Sequence, residues 1–231
     1  MRFSTTASFS AGAVLLGIGA LTLQAARRPC ERPFAAIPLL FAIQQLIEGL
    51  IWLTFSADAP LLNAVMTHAY SFFSHVLWPI YLPVAVLMIE PPGERRRTLT
   101  VIVFAGSAIG IYLLYMLLAF PVVSRPTGQH VEYDSPHFLA AAVMTLYLVS
   151  TTVSPLLSTL RAVKVCGALA LLSFGAADYF YAMWFISVWC FFAALLSTVI
   201  YLHFAWRPSQ RGNSQHMRGI IDQPETLEKR A

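Results

Sequence analysis

PLLFAIQQLIEGLIWL, Pro38–Leu53, is apolar almost throughout, yet Gln44, Gln45 and Glu48 sit in its middle. At about 100° per residue, Phe41, Gln44, Gln45, Glu48 and Trp52 fall within an arc of about 100°. Two amides and a carboxyl on one stripe cannot face hydrocarbon without a partner. The stretch therefore predicts a membrane-crossing helix whose polar side looks into a bundle.

The surrounding chain agrees. Of 231 residues, 58% are hydrophobic and 11% are charged, against about 25% charged in soluble domains. Seven apolar runs stand out, at residues 8–25, 34–56, 61–88, 98–121, 137–157, 162–179 and 183–206. Each is close to the roughly 20 helical residues that a bilayer core requires. The expectation is an all-α, seven-transmembrane-helix bundle over residues 1–206, followed by a polar, flexible tail over 207–231. The break between the last two runs falls near Ala177–Tyr181.

Charge gives the orientation. Arg27, Arg28 and Arg32 follow run one, Arg95, Arg96 and Arg97 precede run four, and Arg161 and Lys164 separate runs five and six. Arg207, Arg211, Arg218, Lys229 and Arg230 lie in the tail; of 15 Lys and Arg residues, Arg2 and Arg125 alone fall on the opposite side. The positive-inside rule then puts the N-terminus outside and the tail in the cytoplasm. A signal peptide is not favoured for run one, because its positive flank follows the apolar core.

Run three carries a second polar stripe. In THAYSFFSHVLWPIYLP (residues 67–83), His68, Ser71, His75 and Trp78 lie within an arc of about 80°. Glu48 and His68 stand at similar distances from the outer ends of their runs. Gln44, Gln45, Glu48, Trp52, His68, Ser71, His75 and Trp78 thus form a candidate ligand-binding or polar core. Glu48, His68 and His75 are also candidate ligands for a divalent metal. His68 and His75 are about 10 Å apart along the axis, which strains a single-ion site. His137, at the mouth of run five, and Asp178, near the last outer turn, are further metal candidates. The segment 121–138 reads as a solvated loop, a lid, or an external metal site. Pro79 and Pro83 should kink run three.

Several classes of function are disfavoured. The lysines are Lys164 and Lys229, neither in the last helix, so no covalent retinal is expected. No H-E-x-x-H and no G-x-S-x-G occurs. Cys30, Cys166 and Cys190 form no zinc spacing. No nucleic-acid module is present; the lipid bilayer is the expected partner, with a small molecule or a membrane protein besides. Small-ligand binding or sensing leads, with a metal-dependent intramembrane enzyme, a proton-coupled transporter and a structural subunit as alternatives.

The blocks FSTTASFSAGAVLLGIG (residues 3–19), PLLFAIQQLIEGLIWL, YSFFSHVLWPIYLP and YAMWFISVWCFFAALLS resemble those of an uncharacterised family of small bacterial multi-pass integral membrane proteins. The resemblance spans residues 1–206 and implies the bacterial cytoplasmic (inner) membrane. It marks Gln44, Gln45, Glu48, His75 and Trp78 as motif positions and implies no activity. Relatives open Met-Cys-Phe-Ser, where this chain has Arg2.

Overall fold

The computed structural model describes residues 2–128, 130–134, 140–179 and 185–206. Among them, each of the seven apolar runs contains a helical rod. The first is α1 (Arg2–Ala25). A 3₁₀ turn, Pro29–Glu31, leads through α2 (Arg32–Ala35) into α3 (Ile37–Ala57). The third rod joins α4 (Pro60–Ser71) to α5 (Trp78–Ile89), and α6 (Glu94–Ala119) returns beside it. The fifth joins α7 (Ala140–Leu148) to α8 (Ser154–Leu157); α9 (Arg161–Tyr179) and α10 (Phe185–Ala205) complete the bundle. The break expected near Ala177–Tyr181 runs into residues 180–184, which lie outside the described residues.

Among the described residues, four helices are long and apolar enough to cross a membrane: Thr5–Ala25, Pro29–Ala57, Pro60–Ile89 and Glu94–Ala119. Ala142–Leu157 and Ala193–Ala205 are shorter apolar helices. The chain is therefore a multi-pass membrane protein. Exposed Val14, Val101, Phe104, Ile111 and Leu118 give its outer surface a lipid-compatible character.

Proline sets several local shapes. α3 and α4 both carry proline in the first turn, where the missing N–H costs nothing. Between them Asp58 adopts a left-handed conformation (φ 48°) that ends α3 at once. The third and fifth rods each contain a wide π turn, at Phe72–Leu77 and Val149–Val153. Each turn ends two residues before a proline, Pro79 or Pro155. A proline ring inside a rod displaces the carbonyl four residues back, and the wide turn accommodates it. Tyr147 donates its hydroxyl to the Ser74 carbonyl at 2.6 Å, tying the two widened rods together.

α6 packs on the rod carrying Pro79 with almost no clearance. A Cβ at Gly106 would stand 2.1 Å from the Pro79 carbonyl oxygen. The glycine is required by close approach, as in other membrane helix contacts. The main core gathers Phe34, Ile37, Trp78, Val86, Leu99 and Ile200 around the rods.

The segment read as a loop contains a hairpin. β1 (Val123–Thr127) pairs antiparallel with β2 (His130–Asp134), with Ser124 opposite Tyr133 and Pro126 opposite Val131. Gly128 supplies the positive φ (62°) of its turn. Val131 and Tyr133 lie on the same strand face and pack against Ile51, Trp52 and Tyr70. The hairpin is thus seated on the ends of α3 and α4, opposite the arginine-bearing end of the bundle.

Candidate functional site

The polar stripe of α3 is buried. Gln44, Gln45, Glu48 and Trp52 are all at most 6% exposed. Trp78 donates its indole N–H to the Gln44 side-chain oxygen at 2.8 Å, and its ring stacks on Phe41 at 4.4 Å. The second and third rods are therefore joined midway by a side-chain hydrogen bond between two of the sequence-predicted residues.

Toward the hairpin the character changes. Glu48 is 6% exposed, yet among the described residues no hydrogen bond reaches its carboxyl. One turn on, the buried Trp52 Nε1 has no hydrogen-bond partner among the described residues. The hydroxyls of Ser71 and Tyr133 are buried and have no partner among the described residues either. Tyr133 stacks face to face on Tyr70, with ring centroids 4.6 Å apart and planes 5° from parallel. Burial first, then Tyr70, then Glu48 push the Tyr133 phenol well above its ordinary range. That influence puts Tyr133 within electrostatic reach of Glu48. Buried polar atoms are nearly always paired, so several orphans under one hairpin call for an explanation.

A chain of hydroxyls and one amide fixes the hairpin over this cluster. Thr67 donates to the Ser124 hydroxyl at 2.8 Å, and Ser124 donates to the Asn63 carbonyl oxygen at 3.0 Å. The Asn63 amide donates to Thr54 at 2.8 Å, and Thr54 donates to the Ile51 carbonyl at 2.6 Å. Every link has a donor and an acceptor, so the clasp is locally satisfied. Sequence reasoning missed Asn63, Thr67, Ser124 and Tyr133. The available signal was the spacing of Asn63 and Thr67, four apart and hence on one face of α4.

The histidines take other roles. His68 is half-buried, and its Nδ1 lies 2.8 Å from the Ala64 carbonyl on its own helix. His75 lies within the first π turn, its Nδ1 2.7 Å from the Ser74 hydroxyl and 3.1 Å from the Ser71 carbonyl. His137 and the side chain of Asp178 lie outside the described residues. Among the described residues, no three His, Cys, Asp or Glu side chains gather in a metal-holding group.

Two more buried glutamates lie at the arginine-bearing end. Glu31, 4% exposed, accepts from the backbone N–H groups of Arg27 and Arg28 at 3.1 and 3.2 Å. Glu90, 2% exposed, accepts from the Ser158 hydroxyl at 2.6 Å and the Thr159 N–H at 2.9 Å. Arg95 reaches the carbonyls of Leu157 and Ser158 beside it. These carboxyls splice turns together.

No curated protein and no solved structure matches this sequence. Residues 1–215 match a family described as Family of unknown function (DUF6629), and the chain belongs to it.

Proposed function

We propose that this member of the DUF6629 family binds a small polar ligand at the hairpin end of a seven-transmembrane-helix bundle, as a binding or sensing protein. The carrying observation is the set of buried atoms without a hydrogen-bond partner among the described residues: Trp52 Nε1, the Ser71 and Tyr133 hydroxyls, and the Glu48 carboxyl. A ligand complementary to them presents a donor to Glu48 and acceptors to Trp52 and Tyr133. Desolvated polar groups of this kind fix orientation, and the surrounding aromatic rings supply contact area. Gln44, Gln45 and Trp78 form the floor; His68 and His75 stand at its margin.

The proposed setting is the bacterial cytoplasmic membrane, with residues 1–206 embedded and the tail 207–231 in the cytoplasm. The positive-inside distribution supports it: Arg27, Arg28, Arg95, Arg96 and Arg161 flank one end of the rods. The ligand site and hairpin then face outward.

Native mass spectrometry of the full chain in lipid nanodiscs tests the binding. A co-purifying small molecule that disappears in Glu48→Gln, while the melting temperature holds, supports the reading. Equal adducts in both proteins, or loss of the fold in Glu48→Gln, would overturn it.

A further inference from the structure

A second feature shares Trp78 with the floor of the Glu48 site and none of that site's unpartnered residues. A cavity of about 130 Å³ opens between α2, α3, α5, the fifth rod, α9 and α10. Phe34, Ile37, Trp78, Leu82, Leu196 and Ile200 make most of its wall apolar. Most polar side chains on the wall are already committed. Trp78 donates to Gln44, and Tyr147 to the Ser74 carbonyl. Thr151 and Thr152 donate to the carbonyls of Tyr147 and Leu148, one helical turn back.

Among the hydroxyl groups on the wall, Ser173 is the exception. It lines the cavity and is 5% exposed, and its hydroxyl makes no hydrogen bond among the described residues. A serine in a helix ordinarily satisfies itself on the backbone or in water. Here it is an unspent donor in an apolar chamber. An apolar cavity of about 150 Å³ takes up benzene, so this one has the size of a single six-membered ring.

We propose that the cavity binds the aromatic or quinonoid ring of a lipophilic molecule that carries a carbonyl acceptor, with Ser173 donating to that carbonyl. The apolar wall supplies affinity without specificity; the single hydroxyl selects the oxygen-bearing ring and sets its direction. Such a molecule partitions into the bilayer and is presented to the protein from there.

Fluorine NMR of the full chain in nanodiscs tests this, with two probes of nearly equal size, 4-fluoroacetophenone and 1-ethyl-4-fluorobenzene. Empty nanodiscs give the partitioning background. Saturable binding of the ketone above that background is expected. Ser173→Ala should weaken the ketone about fivefold, the worth of one hydrogen bond, and leave the hydrocarbon unchanged. Ala193→Phe fills the cavity and should abolish binding of both; Ala170→Leu is the gentler filling variant if the first does not fold. Absence of a saturable signal, its persistence in a folded filling variant, or an equal response of both probes to Ser173→Ala overturns the assignment.

Discussion

Glu90 and Glu48 are both buried glutamates in apolar helices, and their surroundings are opposite. At the arginine-bearing end, Glu90 receives a hydroxyl and a backbone N–H from the turn after α8. At the hairpin end, Glu48 receives no hydrogen bond among the described residues, and three more buried polar atoms at that end have no partner among them. Burying a polar group without a partner is costly, and pairing it removes most of that cost. One end of the molecule therefore uses carboxyls to hold turns in place. The other carries buried polar groups that no hydrogen bond holds among the described residues.

Paired substitutions break this contrast most directly. Glu90→Ala strands the Ser158 hydroxyl and the Thr159 N–H and should cost about 3 kcal/mol. Glu48→Gln removes no hydrogen bond among the described residues and should change stability by less than about 1 kcal/mol. Thermal denaturation of the full chain in detergent reads both. Equal losses would make Glu48 another splice and erase the distinction between the ends.

A smaller effect is expected in the clasp. Thr67→Val keeps the shape of the side chain and removes its donation to Ser124, costing about 1 kcal/mol. Its signature is local: amide hydrogen exchange over 123–134 should quicken while α5 and α6 stay protected. Protection unchanged in the hairpin would show that its apolar seat on Trp52 and Tyr70 suffices.

The smallest effect is one of pH. The phenol of Tyr133 is raised from its ordinary value of 10.0, so the folded hairpin favours the protonated form. Its contribution is fully present below pH 10 and is lost as pH rises through the shifted value. Exchange over 123–134 should therefore accelerate in strong alkali, and Tyr133→Phe should flatten that dependence. An unaltered alkaline profile in Tyr133→Phe would place the sensitive group elsewhere.

The rods were legible because hydrophobic length is a strong signal: run four, placed at 98–121, is α6 at Glu94–Ala119. Gln44 and Trp78 were named from their stripes and meet across two rods. The hairpin was less legible. Its strands are five residues each, and their apolar face is seated on other helices, so the local pattern is weak. The clasp was missed for a chemical reason. A search for titratable groups follows His68, whereas the residue buried against the hairpin is its neighbour Thr67, 0% exposed. Glu90 was overlooked because it stands beyond the end of an apolar run, just before Pro91 and Pro92. The partners that bury it come from a turn 68 residues away.

The wide turns before Pro79 and Pro155 also bear on how the chain tolerates changes in length. A π turn takes an additional residue into a helix and leaves later side chains on their original faces. Loss of one residue from 72–77 restores ordinary winding there, so Trp78 and Val86 still point into the core. The same loss between Gln44 and Trp52 would swing everything beyond it by about 100°, carrying Trp52 out of its seat. Insertions and deletions in membrane-spanning segments should therefore collect at the widened turns, while the stripe from Gln44 to Trp52 keeps a fixed length.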